Sequence, residues 1–116
     1  MKNIKVRVEK PWGHEIIWAH TEKYVGKILT IKSGEKLSRQ YHNAKDETIY
    51  ILYGTLSLEI GQDPVEEIIL KSADTYRIQP GLVHRFCAKY GDVDLIEVST
   101  PELDDVVRLE DEYQRN

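Results

Sequence analysis

Residues 48–61 read TIYILYGTLSLEIG, and the fold is decided there. Two runs of Ile, Leu, Tyr and Thr meet at Gly54-Thr55, with polar positions interleaved among apolar ones. Branched and aromatic side chains suit a pleated surface, and glycine admits the backbone angles of a tight turn. The same grammar continues outward on both sides, in HEIIWAH (14–20), GKILTIKS (26–33), EEIILKS (66–72) and VDLIEVS (93–99). Turn signals separate these runs at Ser33-Gly34, Gly61-Gln62-Asp63-Pro64, Gln79-Pro80-Gly81 and Gly91-Asp92. No long stretch before residue 100 carries helical periodicity. Short strands at this spacing predict an all-β jelly-roll barrel, with residues 1–116 forming a single domain. The tail PELDDVVRLEDEYQRN (101–116) is predicted as a short helix or an irregular wrap around the barrel.

Composition narrows the function classes. At 116 residues the chain is long enough for a core without disulfides, and its net charge of −4 argues against nucleic acid or an anionic membrane as partner. The lone Cys87 lies in RFCAKY (85–90) and reads as a buried structural thiol. MKNIKVRVEK (1–10) is too polar for a signal peptide, and no apolar run approaches membrane-spanning length, so a cytoplasmic location is expected. Seven Tyr and two Trp against one Phe are unusual; amphipathic aromatics line wet cavities and interfaces.

Immediately upstream of the opening stretch, residues 40–47 read QYHNAKDE. Gln40 and His42 are two apart, so on one strand they share a side with Ser38, while Arg39 and Tyr41 point away. If Glu47 faces inward, Ile49, Ile51 and Tyr53 follow it. His84, in QPGLVHRF (79–86), opens a later strand after a Pro-Gly turn. Gln40, His42, Glu47 and His84 form a mixed nitrogen and oxygen set that suits a divalent metal ion, zinc first, with iron, manganese, cobalt or nickel as alternatives. Gln40 is the weakest ligand of the four, and spacing alone leaves a metal site and a coincidence equally open. His14 and His20 read as surface residues. Trp12 is expected to cover one end of the barrel, and Tyr41 and Tyr50 to face outward.

The pattern Gly34-x5-Gln40-x-His42-x4-Glu47-x6-Gly54 resembles the first cupin motif, with Gln in place of the first His. Residues 78–85, IQPGLVHR, resemble the second, with Pro displaced by one. Over residues 7–115 the chain is similar to the cupin domain of type II mannose-6-phosphate isomerases, which follows the guanylyltransferase in bifunctional enzymes. KPWGHEIIW (10–18), GEKLSRQYHNAKDE (34–47), QPGLVHR (79–85) and ELDDVVRLEDEYQR (102–115) carry that likeness. The chain departs from the family pattern at Lys45, where Arg is usual, at Thr48-Ile49 in place of His-Trp, and at Gln114 in the final Tyr-Gly-Arg. The nucleotidyltransferase half is not in this sequence, so sugar-nucleotide synthesis is not implied.

The resemblance implies a metal-dependent aldose–ketose isomerase that moves a proton between C1 and C2 of a sugar phosphate through a cis-enediolate. It also implies a homodimer. Lys45 and Arg85 are the candidates for substrate charge. Lys45 reads alternatively as a proton shuttle or a solvated loop lysine, and Arg85 as a salt bridge to Asp104, Asp105 or Glu110. A cupin that only binds a sugar or small acid, or a different metal-dependent cupin enzyme, are the alternative functions.

Overall fold

The computed structural model describes residues 1–113; Gln114 and Arg115, at the end of the family-like tail, lie outside the described residues. The chain forms β1 (Val6–Lys10), β2 (Gly13–His20), β3 (Val25–Ile31), β4 (Arg39–Tyr41), β5 (Glu47–Tyr53), β6 (Leu56–Ile60), β7 (Glu66–Leu70), β8 (Thr75–Ile78), β9 (His84–Cys87), β10 (Val93–Ser99) and β11 (Val107–Glu110). They build a six-stranded sheet in the order β1-β2-β3-β10-β5-β8 and a five-stranded sheet in the order β11-β4-β9-β6-β7, with antiparallel pairing throughout. The all-β jelly-roll expectation holds. No helix of the described residues is long and apolar enough to cross a membrane.

The quoted stretch becomes β5, a turn and β6. Gly54 sits in that turn with φ of +84°, and a Cβ there would lie 2.2 Å from the Asp92 carbonyl oxygen. Only glycine meets both demands. Inward-facing residues from both sheets, among them Leu29, Ile31, Ile49, Ile51, Leu56, Leu58, Ile78, Phe86, Val93 and Leu95, form one buried apolar cluster that includes Trp12. Each such side chain contributes about 1.5–3 kcal/mol when buried, so this apolar end holds the barrel together. The other end is left free to be polar.

One expectation is refined and one corrected. The described tail carries no helix and is irregular over 101–106 and 111–113, but Val107–Glu110 form a strand paired with β4, Val107 opposite Tyr41 and Arg108 opposite Gln40. A three-residue β4 with an open edge would leave backbone donors and acceptors unpaired, and β11 supplies their partners. Tyr53 does not follow Glu47, Ile49 and Ile51 inward but is 64% exposed. The β5–β10 register shifts between Asp94 and Leu95, which pair with Tyr53 and Ile51, so Leu52 is the extra residue of a bulge. One added residue turns the remainder of the strand to the opposite face.

Elsewhere the readings fit for Cys87, Tyr50 and His20 but only in part for Tyr41 and His14. Cys87 is buried, and burial pushes its thiol up to about 11. Tyr50 points outward, Tyr41 and His14 are half-buried, and His20 is exposed.

Candidate metal centre

His42 follows β4 directly, Glu47 is the first residue of β5 and His84 the first of β9. The turn before β9 is tied to the first segment by backbone hydrogen bonds. Gly81, at φ of +85°, donates its N–H to the His42 carbonyl at 2.7 Å, and Leu82 donates to Gln79 at 3.1 Å. The loop between His42 and Glu47 is held from the tail. The Asp105 carboxylate accepts backbone N–H bonds from Asn43 at 2.9 Å, Ala44 at 2.7 Å and Lys45 at 2.9 Å. Those donors, Ala44 foremost, hold the Asp105 carboxyl down at about 2.

The three side chains converge. Nε2 of His42 and Nε2 of His84 each lie 3.4 Å from Glu47 Oε1, all three residues are almost fully buried, and their ligand atoms lie within 4.8 Å of one another. The imidazole Nδ1 atoms face backbone carbonyls, that of Asp105 at 2.6 Å and that of Leu82 at 2.9 Å. A carbonyl only accepts, so each Nδ1 carries the proton and, in the neutral ring, each Nε2 presents a lone pair. Two lone pairs then confront a carboxylate oxygen in a buried site, an arrangement that fits a shared cation and has the outer hydrogen bonds usual for metal-binding histidines. Burial opposes charge on Glu47, but a proton on either facing Nε2, when the ring is charged, and the Lys45 ammonium hold its carboxyl well below the usual range.

Gln40 stands opposite His84 in the β4–β9 ladder. Its side chain lines the same cavity and makes one long contact, from Nε2 to the Ser38 carbonyl at 3.5 Å. Lys45 is buried, not a solvated loop lysine; its Nζ lies 3.3 Å from Glu47 and 3.4 Å from Glu97. Burial acts to lower its pKa, but Glu97 and Glu47 prevail and raise it, so the lysine stays an ammonium and the shuttle reading loses its premise. Arg85 is not brought to the site. Alternation along β9 turns it to the opposite face from His84, where Nε donates to the Leu37 carbonyl at 2.8 Å and Nη1 lies 3.8 Å from Glu110. Glu110 is one of the three tail carboxylates anticipated for it.

The site opens into a cavity of about 260 Å³ lined by residues of both sheets. Reading the sequence did not single out Glu15, Lys27, Glu97 or Arg108, all of which line it. Lys27 Nζ lies 3.2 Å and Lys10 Nζ 3.7 Å from the Glu15 carboxylate. Glu97 is fully enclosed, and burial, reinforced by the Glu47 charge, pushes its carboxyl up to about 7. A signal was present in the strands themselves. Lys27 and Glu97 occupy inward positions of otherwise apolar alternating runs, where a charge is rare without a purpose.

The model of the family described as mannose-6-phosphate isomerase, C-terminal, matches residues 1–111. The chain belongs to this family. Relatives include the mannose-1-phosphate guanylyltransferase ManC of Salmonella typhimurium, 36% identical over 93% of this chain and 23% of its own length. The xanthan biosynthesis protein XanB of Xanthomonas campestris pv. campestris is 31% identical over 94% of this chain and 24% of its own length. The chain thus spans about a quarter of the length of these relatives. Among solved structures, KdgF from Halomonas sp. superposes with a TM-score of 0.74 at 20% identity, covering 88% of this chain and 91% of that one. The capsular polysaccharide assembling protein CapF from Staphylococcus aureus gives 0.79 at 16%, covering 94% and 33%. A Klebsiella pneumoniae protein with a double-stranded β-helix domain gives 0.70 at 18%, covering 91% and 84%. These structures share the cupin fold; the link to mannose phosphate metabolism comes from the family.

Proposed function

We propose that the chain is a metal-dependent aldose–ketose isomerase for a sugar phosphate, with mannose 6-phosphate as the candidate substrate. The observation that carries this reading is the convergence of the His42 and His84 Nε2 atoms on Glu47 at the base of a polar cavity. His42, Glu47 and His84 would hold the ion, with Gln40 beside them. Bound there, a divalent ion such as zinc supplies Lewis acidity towards a carbonyl or hydroxyl oxygen. Shifting a carbonyl from C1 to C2 requires a group that takes a proton from one carbon and returns it to the next. Glu97 is the cavity carboxylate placed for this, enclosed and oriented by the Lys45 ammonium 3.4 Å away. Lys45 keeps its positive charge beside both carboxylates and so serves as a fixed electrostatic support. The enclosing walls limit water, which protects a reactive enediolate. A single cupin domain, a cytoplasmic location and a homodimer go with this proposal.

The test is a proton NMR time course in heavy water with mannose 6-phosphate and the protein loaded in turn with zinc, iron(II), manganese and cobalt. Formation of fructose 6-phosphate, or loss of the C2 proton signal, is the expected outcome. Silence in every loaded sample, with metal content verified, would replace isomerisation with a cupin that binds without turnover.

A further inference from the structure

Arg108 occupies an unusual position among the cationic groups of the cavity. Lys10 and Lys27 are paired with Glu15, and Lys45 with Glu47 and Glu97. The Arg108 guanidinium has no hydrogen-bonding or ion-pair partner among the described residues, and its Nε is buried and unsatisfied. A second orphan immediately precedes β4. Ser38 is 1% exposed, lines the cavity, and its Oγ has no hydrogen-bond partner. Buried polar groups in native proteins are satisfied by something, and both of these can donate to an oxyanion.

Register places them relative to the metal centre. Arg108 on β11 pairs with Gln40 on β4, and Gln40 pairs with His84 on β9. Residues in one cross-strand row share a face, so Arg108, Gln40 and His84 all present to the cavity. Two strand spacings separate the backbone of Arg108 from that of His84, roughly 10 Å. A six-carbon sugar with a phosphate at its far end spans such a gap between metal centre and guanidinium. Asp104 is the carboxylate nearest in sequence that also lines the cavity, and it is exposed at the rim, where solvent screens it.

We propose that Arg108, together with Ser38 of the same cavity, anchors the phosphate monoester of a ligand whose carbonyl end reaches the His42–Glu47–His84 centre. This rests on the sugar-phosphate reading above and names the residues that would enforce it. Arg108 presents a planar fork suited to two phosphate oxygens at once, a role that Arg85, engaged on the outer face, does not fill. Lysines already neutralised by carboxylates offer far less to an incoming anion.

Calorimetric titration of the full chain, both metal-free and zinc-loaded, with inorganic phosphate, mannose 6-phosphate and mannose tests this directly. Arg108→Gln is expected to weaken mannose 6-phosphate and inorganic phosphate binding by about ten- to a hundredfold while leaving mannose binding and zinc stoichiometry unchanged. Arg108→Lys should recover part of the loss, and Ser38→Ala should cost several-fold, so the assignment stays testable if one variant folds poorly. Phosphate binding by Arg108→Gln equal to wild type would overturn it, as would a wild-type protein that does not distinguish mannose 6-phosphate from mannose. Arg108-dependent phosphate binding without proton exchange in heavy water would remove the isomerase reading and leave the anchor standing. Turnover with an unchanged KM in Arg108→Gln would do the reverse.

Discussion

Two charged clusters share the cavity and solve burial differently. At Glu15 the compensation is complete within the chain: Lys27 at 3.2 Å and Lys10 at 3.7 Å neutralise one carboxylate. At Glu47 the neighbours are two imidazoles whose Nδ1 protons are committed to backbone carbonyls, and one lysine divided between Glu47 and Glu97. The first cluster is an ion pair that strengthens the wall. The second is a set of lone pairs and a carboxylate oxygen facing one another, an arrangement that fits a cation. The lesson is that ion-pair content alone does not mark a site; what marks it is a surplus of directed lone pairs.

The largest expected effect separates the clusters. His84→Ala removes one of the three convergent ligands and should lower zinc affinity by more than about a hundredfold, beyond what loss of a supporting group costs. Lys27→Met should leave zinc stoichiometry at wild-type level yet destabilise the fold by about 1–3 kcal/mol, because the buried Glu15 carboxylate then keeps only the longer 3.7 Å contact to Lys10. Metal analysis after gel filtration and denaturant unfolding of both variants provide the two readouts. Loss of zinc in Lys27→Met would merge the clusters into one functional unit.

Much of this arrangement is legible in the sequence. Alternation and turn residues specify the barrel, because a sheet with one buried face writes its period into the chain. The spacing of His42 and Glu47, with His84 after a Pro-Gly turn, points to the three residues that converge in space, and Gln40 lines the same cavity. Three things are not readable, each for a physical reason. The bulge that turns Tyr53 outward depends on how β10 registers with β5, a pairing between distant segments. The strand at Val107–Glu110 exists because β4 needs an edge partner, which tail composition does not reveal. The reach of Arg108 into the cavity comes from that same pairing. Arg85 is next to His84 in sequence but faces the other side of β9, whereas Arg108, far along the chain, lines the cavity.

A middle-sized effect probes how the metal-facing loop is held. Asp105→Asn keeps the backbone carbonyl that accepts from His42 but removes the charge that gathers the Asn43, Ala44 and Lys45 N–H groups. Zinc affinity is expected to fall by about tenfold, with no change in the Glu15 cluster. Acid titration carries the matching sign. Asp105 holds its carboxyl at about 2 in the folded chain, below the ordinary aspartate value of about 3.9. Between those values the unfolded chain binds more protons, so the contribution to stability is full above the upper value and disappears as pH falls through the lower one. Asp105→Asn should flatten this part of the stability profile; an unaltered profile would mean that the loop is held by something else.

The smallest effect concerns Gln40, which lies between the two anchors of the proposed ligand. Its amide makes one 3.5 Å contact to the Ser38 carbonyl, so little within the protein holds it. Gln40→Ala therefore leaves no strong donor or acceptor stranded and should change stability by less than about 1 kcal/mol. If the amide oxygen joins the histidines and Glu47, zinc affinity should still fall measurably, though less than in His84→Ala because a neutral amide is a weaker ligand than imidazole. Competition with a chromophoric chelator resolves a change of that size. Unchanged affinity would confine the centre to His42, Glu47 and His84 and leave Gln40 as a spacer beside Arg108. A loss equal to that of His84→Ala would instead make the β4 wall as essential to the ion as the two imidazoles.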